Sequence, residues 1–157
     1  MVDEPAPRGL YFEDFELGQQ FRTPARTVTS TDIVNFACLS GDFNEVHTNF
    51  EYCKRTGFGE PIAHGPLVYA IMGGLQYASG INDGTLIALL QVDKWRMLAP
   101  VKHGDTIFMR STVLAKKETS KPDRGTVTFR RECIKQDGSV AQDMEATLMY
   151  RRRPRAV

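Results

Sequence analysis

The sequence has few of the features that mark secreted, membrane-spanning or metal-stabilised proteins. Its 157 residues include three cysteines, Cys38, Cys53 and Cys133. Their number is odd and none forms a Cys-x-x-Cys pair, so neither a disulfide framework nor a zinc site is expected. No apolar run approaches the ~20 residues that cross a bilayer, and no apolar signal segment follows Met1. We therefore expect a cytoplasmic protein with no membrane partner.

An excess of charge of one sign is also missing, because 20 Lys and Arg residues against 19 Asp and Glu residues give a formal net charge of +1. The arginines at 151–153 and 155 form a local basic cluster. We interpret residues 151–157 as a solvated basic tail, since no aromatic residues are interleaved with these arginines. A nucleic-acid partner is not expected.

Length and composition favour one globular domain. Hydrophobic residues make up 41% of the chain and charged residues 25%, which is typical of soluble domains. A chain of this length can bury enough surface to fold without disulfides or a structural metal. Residues 1–10 carry two prolines and a glycine without periodicity, so we predict a flexible lead-in there. The folded domain is expected over residues 11–150, without internal repeats.

Two amphipathic helices are predicted in the first half of the chain. Thr29 precedes an apolar pattern at helical spacing that stops at Gly41, so one helix is expected between them. A second, short helix is expected over residues 49–56, with Asn49 as its N-cap.

A third helix is predicted over residues 65–80, and its composition differs from the other two. Gln76 and Ser79 are its clearly polar residues, so the helix is apolar almost all round. Such a helix is expected to be buried, and a sheet wrapped around it would bury it.

The second half of the chain contains the strands of that sheet. Strands are predicted over residues 86–97, 106–116, 125–136 and 139–151. Turn residues around Pro122 and at Asp137-Gly138 separate the last three. A further strand is expected within residues 15–28, where the chain leads to the cap at Thr29. The expected fold class is α+β, a curved antiparallel sheet of about five strands around the helix at 65–80, with a helical insertion before it.

Residues 40–47 bring together groups suited to acid–base chemistry. In a continuous helix Asp42 and His47 would lie on different faces, but Gly41 argues against such a helix. A tight loop could bring a carboxylate, an amide and an imidazole together, and an imidazole beside a carboxylate is suited to proton transfer. On these residues alone, turn formation and simple packing remain alternative interpretations.

A second local feature is the start of the helix at 65–80. Gly65 is predicted as its N-cap and Pro66 as its first helical residue. Because Gly65 has no side chain that could cap the helix, the free backbone N–H groups there are available to an anion or a polarised carbonyl. Capping by water is the alternative.

These two segments resemble a known family. The sequence Phe-Ala-Cys-Leu-Ser-Gly-Asp-Phe-Asn-Glu-Val-His at 36–47 resembles the signature of the MaoC-like, (R)-specific enoyl-CoA hydratases. The sequence Pro-Ile-Ala-His-Gly at 61–65 is similar to the segment that opens the central helix of that family. The resemblance covers roughly residues 15–150 and implies that the domain at 11–150 has the hot-dog fold, a long helix wrapped in an antiparallel sheet.

The resemblance also implies an activity and roles for individual residues. Asp42 and His47 match the catalytic dyad, which holds a water and adds it to a trans-2-enoyl thioester, giving a (3R)-3-hydroxyacyl product. Gly65 matches the glycine whose backbone N–H faces the thioester oxygen. Asn44 matches the motif asparagine, which is expected at the substrate site and orients the loop or the dyad. No metal and no cofactor are expected apart from the CoA of the substrate.

Partners follow from the same resemblance. The expected substrate is an acyl thioester of CoA or of acyl-carrier protein. Hot-dog domains pair their sheets edge to edge, so a homodimer or a higher homo-oligomer is expected.

Two positions depart from the family pattern. Glu45 stands where the motif usually has proline, and it could tune substrate choice or point outward. Ala70 stands where some members carry a hydroxyl group, so one possible support for the dyad or the substrate is absent.

Two other functions remain alternatives. A hot-dog thioesterase would use Asp42 or Glu45 to activate water against the thioester carbonyl carbon. A non-catalytic hot-dog subunit would bind acyl chains or act as a scaffold, but such a subunit has no need of both Asp42 and His47. The spacing of the pair favours the hydratase.

Other polar residues give weaker signals. His64 is interpreted as structural and His103 as exposed in a turn between strands. Residues 93–96 could either approach a CoA phosphate or form a solvated strand face on which Trp95 packs. Cys38 and Cys53 are interpreted as packing residues.

Overall fold

The computed structural model describes residues 7–154. Its four α-helices are α1 (Ser30–Ser40), α2 (Glu45–Thr48), α3 (Phe50–Cys53) and α4 (Gly65–Ala78), and a 3-10 helix spans Phe12–Asp14. The six strands are β1 (Gln20–Arg22), β2 (Arg26–Thr27), β3 (Leu86–Met97), β4 (Thr106–Glu118), β5 (Arg124–Lys135) and β6 (Val140–Arg151). No helix within this part of the chain has the length and apolar character that a membrane span requires.

The strands form one antiparallel sheet in the order β1-β4-β5-β6-β3. The two-residue strand β2 also pairs with β4, so β1 and β2 follow one another along the same edge and the sheet is five strands wide. The four long strands begin and end within two residues of the predicted bounds. The predicted α+β class and the hot-dog fold are confirmed.

Helix α4 lies on the sheet and supplies much of the core. Its buried residues are Leu67, Val68, Ile71, Met72, Leu75 and Gln76. The opposite face carries small side chains and is exposed in the single chain, at Pro66, Ala70, Gly73 and Gly74, together with Tyr77. The prediction of a helix buried on all sides is therefore wrong for one chain, because the sheet covers one face only.

The helix boundaries differ from the predictions at three places. Residues 45–48 form α2, where we expected a loop, because the Asn44 side chain caps a single helical turn. Helix α3 has the predicted cap, Asn49, but ends at Cys53. The N-cap of α4 is His64 rather than Gly65, so Gly65 is the first helical residue.

The two ends of the domain are held in place where the structure describes them. Gly9 N–H donates to the Asp83 carbonyl and Leu10 N–H to that of Ile81, so the expectation of a flexible lead-in needs correction from Gly9 onward. Residues 1–6 lie outside the described residues. Arg152 pairs with Glu13 and Glu118, and Arg153 with Asp14. These arginines thus dock on the 3-10 helix instead of forming a solvated tail, and residues 155–157 lie outside the described part.

Candidate active site

The loop between α1 and α2 fixes the Asp42 carboxylate. Helix α1 ends at Gly41, which adopts the left-handed conformation at φ 77° and donates its N–H to the Ala37 carbonyl. Glycine suits this position because it has no Cβ to strain. Asn44 N–H donates to Asp42 Oδ1 at 3.2 Å, and Asn44 Oδ1 accepts from Val46 N–H at 3.3 Å. Asn44 therefore organises the loop through both its backbone and its side chain.

His47 has its tautomer set by a backbone carbonyl. Its Nδ1 lies 2.7 Å from the Ile62 carbonyl oxygen, which can only accept, so Nδ1 carries the proton. In the neutral ring the lone pair is then on Nε2. That atom lies 3.9 Å from Asp42 Oδ2, too far for a direct hydrogen bond. A single water can bridge two acceptors at this separation.

His64 holds this pair together. Its Nε2 lies 2.9 Å from the Asp42 carbonyl oxygen and donates to it. Its ring stacks on His47 with centroids 3.7 Å apart and contacts Phe36 from another side. The side chain is 1% exposed. The structural interpretation of His64 agrees with these contacts, since the ring joins the Asp42 loop to the segment that precedes α4.

Asp42, His47 and His64 also offer three ligand atoms within 4.8 Å of one another. The two imidazole planes are stacked and only 28° apart. The lone pairs in these planes therefore run side by side rather than converging on one point, which does not favour a shared metal ion. The absence of a metal remains a prediction.

The N-terminus of α4 opens next to the His47 ring. The first N–H groups of a helix have no intrahelical acceptor, and the His64 side chain does not cap them because it is bonded to Asp42. A cavity of about 310 Å³ lies beside this terminus. It is lined by His47, Phe58, Ile62, Ala63, Gly65, Val68, Met97, Leu98, Ala99, Pro100, Val101 and Gln142. The structure thus places His47 and Gly65 on one largely apolar cavity.

Asn44 and the two departures from the family pattern lie away from this cavity. Neither Asn44 nor Asp42 is among the described residues that line it. Asp42 lies next to the cavity beside His47, whereas the Asn44 side chain is bonded within its own loop. Glu45 Oε1 accepts from Asn49 Nδ2 at 3.0 Å and is turned along the surface. Ala70 is on the exposed face of α4.

The remaining sequence candidates fall into packing and surface roles. His103 is exposed, and its Nδ1 accepts from Ser30 N–H at the start of α1. Lys94 pairs with Glu145 and Arg96 with Asp143, while Trp95 packs on Tyr69. The solvated-face interpretation of residues 93–96 agrees with these contacts.

The three cysteines are free thiols. Cys53 is buried as expected, but Cys38 is exposed on α1, so its interpretation as a packing residue is wrong. Helical spacing turns Cys38 outward although the neighbouring Ala37 is buried. Burial raises the pKa of the Cys133 thiol to about 12, so this group is neutral and unreactive near pH 7.

Sequence reasoning missed Gln142, which is 3% exposed and lines the cavity. Its Nε2 donates to the Gly65 carbonyl at 2.9 Å. The signal was present in β6, where every second residue points inward. Gln142 shares this inward face with the apolar residues Met144, Ala146 and Leu148. A polar residue in an apolar alternation is a candidate for a specific hydrogen bond.

Comparisons with known proteins agree with this geometry. Protein MaoC of Klebsiella aerogenes is 38% identical over 122 residues, which are 78% of this chain and 35% of that protein. An (R)-specific enoyl-CoA hydratase of Rhodospirillum rubrum is 35% identical over 143 residues, 88% of this chain and 90% of that protein. The crystal structure of the MaoC-like dehydratase from R. rubrum superimposes with a TM-score of 0.82 at 29% identity and covers 94% of this chain and 100% of that chain.

The family model matches both sequence motifs of the site but ends before strand β6. The MaoC like domain matches residues 14–132, which include the Asp42 loop, His47, His64 and the start of α4. Together with the relatives at 35–38% identity, this match establishes that the chain belongs to the MaoC-like domain family.

Proposed function

We propose that this MaoC-like enzyme catalyses the reversible hydration of a trans-2-enoyl thioester to the (3R)-3-hydroxyacyl thioester. The observation that carries the proposal is the position of His47, which lies beside Asp42 and lines one cavity together with Gly65. His47 Nε2 and Asp42 Oδ2 lie 3.9 Å apart, and Gly65 lines the same cavity as His47. Relatives named as enoyl-CoA hydratases support the same reaction.

The water is bound between the carboxylate and the imidazole. Both Asp42 Oδ2 and the unprotonated Nε2 of His47 can accept a hydrogen bond from it, which leaves an oxygen lone pair for attack. The oxygen forms a bond to C3 of the enoyl group while its proton passes to the pair. The fixed tautomer of His47 favours Nε2 as the acceptor.

The electrons of the C2–C3 double bond move towards the thioester carbonyl as the C3–O bond forms. Charge develops on the thioester oxygen, and the Gly65 N–H at the start of α4 stabilises it. The proton held by the Asp42–His47 pair is then delivered to C2, and the carbonyl is restored. One water is consumed, both groups return to their starting protonation state, and neither a metal nor a cofactor takes part.

The cavity accepts the acyl part of the substrate. Its lining is mostly apolar and its volume is about 310 Å³, which favours a hydrocarbon chain of limited length. The thioester is carried by CoA or acyl-carrier protein. The free state of all three cysteines agrees with a reducing, cytoplasmic location.

The decisive experiment follows the enoyl-thioester absorbance with crotonyl-CoA and with a longer enoyl-CoA. We expect wild type to consume both and to form the (3R) alcohol. Asp42→Ala and His47→Ala should each lower kcat by at least about 100-fold, because each removes one partner of the proton transfer. Glu45→Ala is the control, since this carboxylate is bonded to Asn49, and it should keep its activity.

Two outcomes would contradict the hydratase, and a third would favour the thioesterase. A folded wild-type protein that leaves both thioesters unchanged, or an Asp42→Ala variant with undiminished kcat, would refute the proposal. Release of free CoA thiol that Glu45→Ala abolishes would instead support the thioesterase.

A further inference from the structure

A chain of hydrogen bonds that starts at the half-exposed Trp95 and passes through the buried Gln142 ends on the first residue of α4. The Gln142 side chain lies between the Gly65 carbonyl, 2.9 Å from its Nε2, and the indole Nε1 of Trp95, 3.1 Å from its Oε1. A carbonyl oxygen can only accept and an indole N–H can only donate. The amide orientation is therefore dictated by its two partners, and Trp95, Gln142 and Gly65 form a directed chain of hydrogen bonds.

The backbone of β3 is distorted where this chain begins. Lys94 adopts φ 50°, in the left-handed region that non-glycine residues rarely enter. The register of β3 against β6 shifts between Asp93 and Arg96. Such bulges re-aim side chains and often stand beside active sites. Here Lys94 and Arg96 reach acidic partners, Glu145 and Asp143, on β6, while Trp95 turns to the helix side.

Trp95 is anchored by two contacts in that position. Its ring packs on Tyr69 of α4 with centroids 5.3 Å apart, and its N–H meets Gln142. Gln142 is 3% exposed, so its amide has little access to solvent and depends on these partners. The distortion of β3 thus delivers one indole N–H to one buried amide.

We infer that Trp95 and Gln142 are positioning residues that set the place of the Gly65 N–H relative to the thioester oxygen. Gln142 and Gly65 line the cavity that contains the proposed reaction site, so this inference rests on the proposed function. Gln142 holds the carbonyl of the Gly65–Pro66 peptide, and the Gly65 N–H belongs to the peptide immediately before it, so both move with the first turn of α4. Since a displacement of about 1 Å at a reacting centre can cost about 100-fold in rate, the hydrogen bond contributes to kcat without contact with the reacting atoms.

The variant Gln142→Glu tests this inference through pH. Its carboxylate can still accept from Trp95, but when ionised it presents an oxygen instead of an N–H to the Gly65 carbonyl. When protonated, it can donate to that carbonyl as glutamine does. Burial raises the pKa of such a carboxyl, so the proton returns at moderately acidic pH. His47 lines the same cavity as position 142, Cys133 is its cross-strand partner on β5, and the buried Arg131 guanidinium lies two residues further along the same face of β5.

We expect kcat of Gln142→Glu to fall about 10- to 100-fold at about pH 8, with KM changed less than about threefold. The ratio of variant to wild-type kcat should recover about tenfold towards pH 5.5 as the carboxyl is protonated. This ratio removes the pH dependence that is common to both proteins. Gln20→Glu makes the same chemical change at an exposed site on β1 and should show neither effect.

A spectroscopic readout tests the chain independently of activity. Trp95 is the only tryptophan, so ¹⁵N-labelled protein gives one indole N–H resonance. In Gln142→Glu this resonance should titrate with the same midpoint as the kcat ratio, and in Gln20→Glu it should not move. Trp95→Phe removes the donor and keeps an aromatic ring on Tyr69, and it should lower kcat about tenfold at unchanged KM.

A pH-independent loss in Gln142→Glu, or a Trp95→Phe variant with full kcat, would overturn the inference. If Gln142→Glu does not fold, Trp95→Phe alone decides it. Absence of hydration by wild type refutes the proposed function, and the positioning role then falls with it. If wild type does not hydrate the thioesters but the indole resonance of Gln142→Glu still titrates, the Trp95–Gln142–Gly65 hydrogen bonds exist. This result distinguishes failure of the proposed function from failure of the hydrogen-bonded chain.

Discussion

The His64 imidazole contacts both members of the proposed dyad through different parts of one ring. Its edge donates to the Asp42 carbonyl and its face covers the His47 ring. His64 is also the N-cap of α4. This one buried residue therefore contacts the Asp42 loop and the His47 ring and directly precedes the Gly65 N–H. A displacement of His64 would therefore disturb all three at once.

Substitution of His64 by phenylalanine separates the effect of the hydrogen bond to Asp42 from the effect of stacking on His47. His64→Phe keeps a ring against His47 and removes the donor to Asp42, so we expect kcat to fall about tenfold with little change in KM. Steady-state kinetics with an enoyl thioester measure this. His103→Phe, at an exposed histidine, is the control and should retain kcat. Equal kinetic losses in the two variants would contradict the assignment.

The Asp105 carboxyl makes the stability of the fold depend on pH in the acidic range. Burial by itself raises the pKa of this carboxyl, but bonds from Lys135, Gln136 and the Lys102 N–H outweigh it and lower the pKa. A lowered pKa in the folded state means that the ionised group adds stability above the unfolded-state pKa of about 3.9. This contribution is lost as pH falls through the still lower folded-state value.

Asp105→Asn should therefore lower the free energy of unfolding by about 1–2 kcal/mol at about pH 7. The difference between variant and wild type should shrink as pH falls below about 3.9, because wild type then loses the same charge. Urea denaturation across that range measures the effect. Asp123→Asn, which removes an ion pair between neighbouring residues at the surface, should leave stability almost unchanged, because solvent screens such a pair. A difference for Asp105→Asn that is independent of pH would refute the charge-based account.

At the scale of elements, the turn after α1 has a backbone conformation that other residues resist. Gly41 has φ 77°, and a Cβ built there meets nothing within 4 Å. The cost of a side chain at this position is therefore purely conformational, about 1–2 kcal/mol. Because Asp42 follows directly, the same strain would also turn the carboxylate.

Gly41→Ala should thus lower both stability and kcat. Gly138, in the turn between β5 and β6, has φ 85° and equally open surroundings, so Gly138→Ala carries the same conformational cost far from the site. We expect both variants to lose about 1–2 kcal/mol by urea denaturation, but only Gly41→Ala to lose about tenfold in kcat. Full activity in Gly41→Ala would show that the turn does not position Asp42.

The elements themselves were largely predictable from the sequence. The bounds of α1 followed from Thr29 and Gly41, a cap and a stop with strong local preferences, and β3 spans the predicted residues 86–97. The short helix α2 was not predicted because a single turn carries too few residues for a periodicity. Its formation depends on the Asn44 cap and on the bond between His47 and the distant Ile62 carbonyl.

At the scale of the whole molecule, one chain leaves two surfaces open that suit a second copy. Strand β3 ends the sheet order and carries the exposed apolar residues Ile87, Leu89 and Leu90. The small-residue face of α4 is exposed as well. An open strand edge of twelve residues whose first half is largely apolar is a template for pairing with another strand, which supports the expected homodimer or higher homo-oligomer.

Light scattering should accordingly give at least twice the mass of one chain at micromolar concentration. Leu90→Lys places a charge on the β3 edge and should yield a monomer, because burying an unpaired lysine is unfavourable. Leu17→Lys, at another exposed leucine, should leave the dimer intact. A wild-type monomer would argue against the assembly.

The sequence by itself determined the class of the fold, the strand segments and the chemical groups of the site. Period-2 and period-3.6 patterns, caps and turn residues are local signals, and the Asp42–His47 spacing is contained in eight consecutive residues. Only the tertiary structure decided the tautomer of His47, the roles of His64 and Gln142, and the exposed face of α4. These depend on contacts between residues 15 to 77 positions apart, and no local pattern specifies the partner in such a contact.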